Sequence, residues 1–418
     1  MQRYEAYRDS GVEWIGEIPE GWEVVNLSAL ATQRKRKNIG SIEGNVLSLS
    51  YGRIKRRIID NSGLLPESFE TYNVIEPGDI VLRLTDLQND QVSLRVGRSD
   101  ERGIITSAYC TLNPNNVDSR YLFDILACFD YQKGFYGLAG GVRQGLTFDG
   151  IKGLKFPLPS IREQQAIADY LDEKTAEIDS IVSQTERSIE LLREYRKSVI
   201  SEAVTKGLDP DAPMRDSGVE WIGEIPEGWE AKKSKSEMTF INGRAYKQEE
   251  LLNEGPYRVL RVGNFNTNDS WYYTDLELPE KQYCSKGDLL YLWATTFGPE
   301  IWTGEKVVFH YHIWKVETTN SLIKKYAFYA LLASSVWQEL QSHGSTMVHI
   351  TKNGMENTFY PFPPLPEQRA IADYLDAKTA EIDSLIADKQ RQVELLKEYR
   401  KSLISEAVTG KFKVPGLE

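Results

Sequence analysis

Two short basic runs near the start of the chain have the residue types and density to bind a charged ligand. The sequence reads RKRK from Arg34 to Lys37 and YGRIKRR from Tyr51 to Arg57, with Glu43 as the single acid between Arg34 and Arg57. Lys and Arg at this density are typical of surfaces that neutralise nucleic-acid phosphates. A solvated loop has the same composition, so the runs leave both interpretations open.

The charge of the whole chain points the other way. The formal net charge is −11, whereas nucleic-acid binders usually have a basic footprint. The acidic residues are spread along the chain and mask the basic runs. The second half has no run of equal density, only Lys232, Lys233 and Lys235.

The sequence lacks the motifs that would make this chain an enzyme by itself. It contains no G-x-x-x-x-G-K-[ST] phosphate loop. It also lacks the N-P-P-[YF] segment of adenine methyltransferases, to which Asn113–Asn116 comes nearest without the aromatic residue. Asp172, Glu173 and Lys174 lie within a predicted helix. His310 and His312 are predicted to share one face of a strand, with no Cys or carboxylate at metal-ligand spacing. We therefore expect no catalytic residues and no metal site.

Composition indicates a folded protein in a reducing compartment. The chain has 418 residues, of which 41% are apolar, and three scattered cysteines that match neither a disulfide framework nor a metal site. The first residues do not resemble a signal peptide, and no apolar run is long enough for a membrane span. These features predict a cytoplasmic location.

The chain is an internal duplication. The segment from Arg8 to Glu23 recurs letter for letter from Arg215 to Glu230. ELLREYRKSVISEAVT, which starts at Glu190, returns as ELLKEYRKSLISEAVT at Glu394. The repeat unit of about 205 residues is far longer than the roughly 20–50 residues of a solenoid repeat. The sequence therefore predicts two copies of a module that combines a globular domain and a helix.

Each copy ends in a predicted long helix with a seven-residue apolar period. Pro159 and Pro366 lie near the expected starts, and Gly207 and Gly410 follow the last periodic residues. The predicted seam of the first helix is Leu171, Ile178, Thr185, Leu192 and Val199, with Ile167, Ile181 and Tyr195 beside it, and Val182, Ile189 and Ala203 widening the apolar stripe. The second has Leu375, Ile382, Lys389, Leu396 and Leu403, with Ile371, Leu385 and Tyr399 beside it.

The segments between the helices predict β-rich domains with few helices. Strand-like runs include DIVLRL and GIITSAYCTL in the first copy, and DLLYLWA and KVVFHYHIWKVE in the second. DSRYLFDILACF and IKKYAFYALLAS are the predicted helices. The two globular segments diverge, whereas even the solvent-facing letters of the long helices are kept. A preserved frame with different tips indicates two recognition surfaces that share one kind of partner, although drift after duplication would also diversify the tips.

These repeats resemble the specificity subunits of Type I restriction-modification systems. The resemblance rests on P-x-P-x-x-x-E-Q-x-x-I-A-x-Y-L-D at Pro157 to Asp172 and Pro361 to Asp376, and on W-I-G-E-I-P-E-G-W before each globular segment. It covers essentially the whole chain. It implies an α+β fold in which two β-rich mixed target-recognition domains are joined by two long antiparallel, coiled-coil-like helices in a pseudo-twofold repeat.

The family resemblance implies a non-catalytic, DNA-binding subunit for defence against foreign DNA. Each target-recognition domain would read one half of a bipartite, asymmetric site in double-stranded DNA, with the halves about one helical turn apart. Two adenine-N6 methyltransferase subunits, and in a full complex two restriction subunits, would dock on the frame. S-adenosylmethionine, ATP and Mg²⁺ would belong to those partners, which together form a methyltransferase and an ATP-dependent endonuclease. The alternative is a protein-only adaptor with two binding modules on a coiled-coil ruler.

The resemblance also selects candidate DNA contacts, each of which has an ordinary loop or strand role as its alternative. Phosphate contacts position a protein, whereas contacts to base edges specify sequence. The phosphate candidates are Arg34, Lys35, Arg36, Lys37, Arg53, Lys55, Arg56 and Arg57. The candidates for the first half-site are Arg83, Thr85, Gln88, Asn89, Arg143 and Gln144. Those for the second are Arg261, Asn264, Asn266, Trp293, Thr295 and Thr296.

The repeated Trp segments are expected to close the frame. We predict that Trp14 and Trp22, like Trp221 and Trp229, pack near the bases of the helices; contact with the methyltransferase is the alternative. The predicted boundaries are 1–157 for the leading segment and first recognition domain, 158–207 for the central helix, 208–363 for the second leading segment and domain, 364–411 for the C-terminal helix, and 412–418 for the tail.

Overall fold

The computed structural model describes residues 2–57, 68–87, 94–138, 145–265, 268–294, 296–341 and 351–417. Backbone contacts divide the chain into two compact units. Unit 1 comprises Met1–Glu186 and Arg391–Glu418, and unit 2 comprises Arg187–Gln390. No helix in the described ranges is long and apolar enough to cross a membrane.

The described residues of unit 1 form short strands, three helices and parts of two long helices. Its strands are β1 (Tyr7–Asp9), β2 (Glu17–Pro19), β3 (Glu23–Asn26), β4 (Ala31–Gln33), β5 (Leu47–Ser50), β6 (Arg53–Arg56), β7 (Asn73–Ile75), β8 (Ile80–Leu82), β9 (Val96–Arg98), β10 (Gly103–Ile105), β11 (Cys110–Pro114) and β12 (Lys155–Leu158). Its helices are α1 (Leu27–Leu30), α2 (Ser119–Tyr131) and α3 (Phe148–Ile151), followed by α4 (Ile161–Lys206), which continues into unit 2.

A mixed sheet organises unit 1. Its strand order is β4-β11-β8-β9-β6-β5, with β6 and β9 parallel and the other neighbours antiparallel. Strands β7 and β10 form a separate pair, as do β3 and β12. Helix α2 packs on β8 and β9, and the side chain of its N-cap residue Asp118 accepts hydrogen bonds from the first-turn amides of Arg120 and Tyr121.

Unit 2 repeats much of this order. Its strands are β13 (Met214–Asp216), β14 (Glu224–Pro226), β15 (Glu230–Lys233), β16 (Met238–Asn242), β17 (Tyr257–Leu260), β18 (Tyr272–Thr274), β19 (Tyr283–Cys284), β20 (Leu289–Ala294), β21 (Thr296–Ile301), β22 (Val307–Phe309), β23 (Ile313–Thr318) and β24 (Phe359–Phe362). Its helices are α5 (Lys324–Gln341), α6 (Lys352–Asn357) and α7 (Leu365–Val408), which continues into unit 1.

Two four-stranded sheets form the body of unit 2. The order β16-β23-β20-β21 matches β4-β11-β8-β9 of unit 1, strand for strand and direction for direction. The second sheet, β18-β17-β22-β19, has no counterpart with the same order in the described part of unit 1. The sequence thus predicted the α+β class correctly, and helices α2 and α5 occupy the segments predicted to be helical.

The long helices begin and end on the signals that the sequence shows. At the start of α4, Ser160 and Glu163 form a reciprocal capping box, in which each side chain accepts the other residue's backbone N–H. Gly207 follows α4 directly with φ 77°, and Gly410 follows α7 with φ 70°. This left-handed conformation costs glycine little and ends the helix.

The repeated Trp segments make the same contacts in each unit. Trp22 is buried, and its indole N–H donates to Glu163 in the first turn of α4 at 3.2 Å. In unit 2, Trp229 donates to Glu367 in the first turn of α7 at 2.8 Å. The prediction that these Trp side chains pack at the helix bases is confirmed for both residues. Trp14 and Trp221 lie beside them, and their N–H groups donate to the backbone carbonyls of Lys155 and Phe359.

A buried tyrosine joins the globular part of each unit to its helices. The Tyr121 hydroxyl lies 3.1 Å from the Pro157 carbonyl and 3.3 Å from the Val408 carbonyl of α7. The Tyr326 hydroxyl lies 2.9 Å from the Pro361 carbonyl and 3.3 Å from the Val204 carbonyl of α4. The globular part of each unit therefore contacts the end of one long helix and the strand that leads into the other.

Within each unit, the two long helices run antiparallel. In unit 1, Arg400 pairs with Asp179 at 3.1 Å and Lys397 with Glu186 at 3.3 Å. In unit 2, Arg196 pairs with Asp383 at 2.9 Å.

The expected helix seam is only partly correct. Leu171, Ile178, Val199, Leu375, Ile382 and Leu403 are buried, and Leu192 and Leu396 are partly buried. Tyr195 and Tyr399, expected beside the seam, are 50% and 51% exposed, and Ile181 and Leu385 are 44% exposed. Ile167 and Ile371, also expected beside the seam, are buried, as are Ile189 and Ala203, which were expected to widen the stripe, and their counterparts Val393 and Ala407. A helical period of 3.6 residues rotates a strict heptad by about 20° per repeat. The column beside the seam is therefore buried at the start of each helix and exposed further along it.

Candidate nucleic-acid interface

The structure brings the two basic runs to the loop between β9 and β10. Arg56 in β6 pairs with Glu101 at 2.6 Å. The next residue, Arg102, pairs with Glu76, which also binds Arg36 at 3.2 Å. The runs, separate in sequence, thus flank one loop on the surface of unit 1.

Acidic neighbours reduce the charge of this surface below what the sequence predicted. Arg36, Arg56 and Arg53 each have a carboxylate partner, and the Lys37 ammonium donates to the Thr71 carbonyl at 2.8 Å. The Glu101 pairing raises the pKa of Arg56 further. Among the described residues, Lys35, Lys55 and Arg57 are exposed and have no carboxylate within ion-pair distance. These three cations are the ones most available to phosphate.

Arg34 has a structural role instead. Its Nε lies 2.7 Å from Asp79 Oδ2, and its guanidinium donates to Asn113 at 2.6 Å. Burial raises the pKa of the Asp79 carboxyl, although Arg34 opposes that shift. The pair fastens the strand end before Arg34 to the turn before β8. Arg34 therefore suits the fold better than a phosphate.

Arg53 links the outer hairpin of unit 1 to the helices. It donates to Asp179 of α4 at 3.2 Å, and the same carboxylate forms an ion pair with Arg400 of α7 at 3.1 Å. These residues line a polar cleft of about 690 Å³ that also includes Lys55, Arg98 and Arg120. The β5–β6 hairpin, which carries the second basic run, is thereby anchored to the frame.

Two of the base-reading candidates of unit 1, Arg83 and Thr85, fall within the described residues. The segment after β8 contains Arg83 and Thr85, both partly exposed, and the Leu84 carbonyl accepts a hydrogen bond from the Leu146 amide at 2.8 Å. Leu146, shortly before α3, therefore contacts this segment. Gln88, Asn89, Arg143 and Gln144 lie outside the described residues.

In unit 2, two candidates are already engaged. The Asn264 side chain accepts from the Arg261 amide and donates to the carbonyls of Asn268 and Ser270, so it shapes its own loop. The Arg261 guanidinium lies 4.8 Å from the centre of the Tyr272 ring. Asn266, Thr295 and the side chain of Thr296 lie outside the described residues.

Trp293 belongs to an aromatic cluster that sequence reasoning missed. It stacks on Trp314 with ring centres 5.7 Å apart, and its N–H donates to the Tyr311 carbonyl at 2.9 Å. The His312 ring meets it edge-on at 5.0 Å. Dense aromatic letters in FHYHIW were the available signal. They were interpreted as one strand, which hid the turn that gathers these rings.

The prediction that His310 and His312 share a strand face is wrong. Both lie between β22 and β23, which belong to different sheets, and their ring centres are 4.8 Å apart. Burial, then the charges of His312 and Arg261, lower the pKa of His310 to about 4. Burial also lowers the pKa of His312. Both imidazoles are therefore neutral near pH 7, and the Nδ1 of His310 accepts the backbone N–H of His312 at 3.5 Å.

Comparisons with known proteins place this architecture. The family described as Type I restriction modification DNA specificity domain matches residues 95–191 and 226–395, more than half of the chain. The chain belongs to this family.

Individual relatives agree with that assignment. The chain is 25% identical over 423 residues to the MjaVIII specificity subunit, a type I restriction enzyme subunit of Methanocaldococcus jannaschii, covering 96% of this chain and 95% of the relative. It is 26% identical over 199 residues to the EcoBI specificity subunit of Escherichia coli, covering 47% of this chain and 42% of the relative.

Solved structures show the same fold. A chain from work on complex assembly and conformational transition of the type I R-M system superposes with a TM-score of 0.72 at 16% identity, covering 94% of this chain and 98% of that one. The HsdS subunit from Thermoanaerobacter tengcongensis gives 0.53 at 17% identity, covering 96% and 99%.

In this member of the specificity-domain family, the long helices expose apolar side chains at corresponding positions of each unit. Unit 1 exposes Leu395 by 65% and Tyr399 by 51%, and unit 2 exposes Leu191 by 59% and Tyr195 by 50%. Large exposed apolar residues grouped on one surface mark interaction sites. Ile161 and Ile181 in unit 1, and Leu365, Tyr374 and Leu385 in unit 2, are further exposed apolar residues of the long helices.

Proposed function

We propose that this chain is a DNA-binding specificity subunit that reads a bipartite, asymmetric target, one half with each unit. One observation carries the proposal: the two units repeat the same four-strand order and the same Trp and Tyr contacts, yet differ in what they add to that frame. Unit 1 extends the sheet with the basic β5–β6 hairpin, whereas unit 2 adds a second sheet and an aromatic turn. Different surfaces on one frame suit two different half-sites.

Phosphate binding would be concentrated on unit 1. Lys35, Lys55 and Arg57 are exposed cations without carboxylate partners among the described residues. Each phosphate that they neutralise would release counterions and make binding depend on salt. Arg36 and Arg56 would exchange their carboxylate partners for phosphates, at a smaller gain.

Unit 2 would use rings and neutral side chains more than charge. Trp293, His310 and His312 lie together, and the two imidazoles are neutral at pH 7 because burial lowers the pKa of each. Neutral imidazoles can donate to or accept from base edges, as amide side chains do. This arrangement accounts for a recognition surface without a dense basic run.

The helices would carry the docking sites for two methyltransferase subunits. Leu395 and Tyr399 of unit 1 correspond to Leu191 and Tyr195 of unit 2, so identical partners would find the same exposed side chains twice. Aromatic residues often dominate the energy of such interfaces. Restriction subunits would join the same assembly. S-adenosylmethionine, ATP and Mg²⁺ would be held by these partners, and the methyltransferase would flip the target adenine out of the duplex.

The test is adenine methylation in a host that carries this chain with its neighbouring methyltransferase, mapped by long-read sequencing. The expected result is a motif of two specified halves separated by a fixed unspecified gap, lost when this gene is deleted. A matched strain should carry the methyltransferase alone. Methylation that ignores the presence of this chain, with both proteins expressed and folded, would overturn the proposal.

A protein-only adaptor remains the second candidate, favoured by the many acidic partners around the basic runs. The two functions predict different dependences of binding affinity on salt concentration. DNA binding through phosphates weakens steeply from 50 to 200 mM salt, whereas an apolar adaptor interface changes little. Binding to a DNA duplex carrying the methylated motif, measured across this salt range, decides between them.

A further inference from the structure

Arg95 is buried at the edge of the candidate base-reading loop. It is 0% exposed and precedes β9 directly. Burying a charged side chain costs several kcal/mol unless its hydrogen bonds are satisfied. An apolar residue of similar size would avoid that cost. The hydrogen bonds of the Arg95 guanidinium therefore indicate what this buried side chain contributes to the structure.

The guanidinium binds the backbone of the loop. Its Nη1 donates to the carbonyls of Arg83 at 3.2 Å and Thr85 at 2.6 Å, and Nη2 donates to the Asp86 carbonyl at 2.9 Å. Its Nε donates to the Tyr136 hydroxyl at 3.0 Å, and the Tyr136 ring centre lies 5.1 Å from the guanidinium carbon. One side chain thus collects three carbonyls of a four-residue segment.

The backbone around Arg95 completes this arrangement. The Arg95 carbonyl accepts from the Arg83 amide at 2.9 Å, and the Arg95 amide donates to the buried Asp130 carboxylate at 2.8 Å. The remaining carbonyl, that of Leu84, accepts from Leu146. All four carbonyls from Arg83 to Asp86 are therefore held by hydrogen bonds from the protein.

The same segment contains a conformation that needs such support. Asp86 has φ 58°, a left-handed conformation that costs a non-glycine residue about 1–2 kcal/mol. Strained backbone persists where its surroundings over-determine it, commonly at binding sites. The buried side chains of Leu84 and Leu87 point into the core, while Arg83 and Thr85 remain partly exposed.

We propose that Arg95 is the positioning residue for base recognition in the first half-site. By fixing the carbonyls of Arg83, Thr85 and Asp86, it holds the Arg83 and Thr85 side chains in a set orientation toward the base edges before DNA arrives. The inference rests on the proposed function and deepens it. Lysine keeps the charge but lacks the planar fork that binds several carbonyls together, so the geometry of arginine is the requirement.

The experiment compares methylation motifs of the wild type, Arg95→Lys and Arg95→Met, each expressed with the methyltransferase. Both variants should relax base preference in one half of the motif, by about tenfold at one or two positions, the discrimination that a well-placed side chain supplies. The other half and the gap should stay unchanged. Arg95→Lys keeps the test open if Arg95→Met does not fold.

A stability control separates positioning from a loss of fold. Tyr121→Phe removes a buried hydroxyl of the same unit, outside this loop, and should lower methylation at an unchanged motif. The variants are compared at expression levels that give equal total methylation. If Arg95→Lys retains the wild-type base preferences, as Tyr121→Phe should, the positioning role is overturned. A wild-type chain that yields no bipartite motif would instead overturn the proposed function, a distinct outcome.

Discussion

The frame and the recognition surfaces of this chain contrast sharply in how far their two copies agree. In the frame, Trp22 and Trp229 bind equivalent glutamates, and Tyr121 and Tyr326 bind equivalent pairs of carbonyls. In the main sheet of unit 1, β9 is followed by β6 and β5, whereas β21 is the last strand of the corresponding sheet among the described residues of unit 2. A duplicated protein can thus hold one set of buried contacts fixed while its exposed elements diverge, because the fixed contacts do not depend on the residues that contact a ligand.

Substitution of the buried tryptophans should have the largest effect and tests whether the frames of the two units are equivalent. Trp22→Ala should destabilise unit 1, and Trp229→Ala should destabilise unit 2, each by about 3–5 kcal/mol, because each empties a buried site and leaves a glutamate without its donor. Hydrogen exchange resolved by peptide measures each unit separately. Similar losses in the mutated unit are expected. A loss of exchange protection in only one of the two variants would show that the frames are not energetically equivalent.

Docking provides the next largest effect. Leu191→Asp with Tyr195→Asp should abolish binding of one methyltransferase subunit, and Leu395→Asp with Tyr399→Asp the other. We expect at least a 100-fold loss of affinity, since interface anchors are each worth about 2 kcal/mol or more. Native mass spectrometry of the complex should change from two bound subunits to one.

The matched control for docking lies on the same helices. Glu190→Gln with Glu194→Gln alters exposed polar positions near Leu191 without adding charge to an apolar surface. Two methyltransferase subunits should stay bound. Retention of two subunits in both aspartate variants would contradict the docking surface.

A smaller comparison concerns the buried hydroxyls. Tyr121→Phe and Tyr326→Phe each leave backbone carbonyls without their donor, which should cost about 1–3 kcal/mol. Because the partners correspond, the two losses should agree within about 1 kcal/mol. Urea unfolding followed by unit-specific hydrogen exchange gives both losses of unfolding free energy. A large loss in only one variant would mean that the corresponding tyrosine hydroxyl of the other unit contributes little to stability.

The recognition surfaces should differ in their dependence on salt. Lys35→Gln, Lys55→Gln and Arg57→Gln should each lower the slope of log affinity against log salt by about 0.9, the share of one phosphate on duplex DNA. Lys232→Gln and Lys233→Gln in unit 2 are the controls and should leave the slope unchanged. Equal changes of this slope in both sets of variants would show that the basic runs of unit 1 contact phosphate no more than the lysines of unit 2 do.

The smallest expected difference between the two units is in how their stability responds to acid. All four histidines of the chain, His310, His312, His343 and His349, fall within the residues of unit 2. The pKa of His310 is about 4 in the fold, below the ordinary value of about 6.5. The unfolded chain therefore binds the proton more readily, and this contribution to stability, complete above about pH 6.5, is lost as the pH falls toward 4.

The measurement is hydrogen exchange of unit 2 between pH 7 and pH 5, corrected for intrinsic exchange rates. His310 is only half buried, so after allowance for solvent screening we expect a change of at most about 1 kcal/mol. His310→Gln should flatten the profile of unit 2 without changing unit 1. An unaltered slope in that variant would assign the effect to other groups.

The sequence predicted the parts of this molecule that depend on local signals. The duplication, the helix ends at Gly207 and Gly410, helix α2 and the burial of Trp22 all follow from repeats, caps and apolar patterns. Contacts between distant segments did not follow. Arg34 was assigned to phosphate because its partner Asp79 is distant in the chain, and Arg95 carried no signal beyond its place among apolar letters. His310 and His312 were misplaced because a turn between two sheets has the same aromatic letters as a strand.

The backbone bridge between Gln2 and Lys413 bears on how the chain is made. The backbone amide of Lys413 donates to the Gln2 carbonyl at 2.8 Å, and the side-chain ammonium of Lys411 donates to the Ile15 carbonyl at 3.0 Å. Unit 1 thus needs segments from opposite ends of the sequence, whereas unit 2 is a continuous stretch. During synthesis, unit 2 has all its residues once Gln390 leaves the ribosome. Unit 1 must wait, with its Trp22 site lacking Gly410, until the last helix is released. Because domains fold as their residues emerge, the half of the chain synthesised first would be the last to reach its native state.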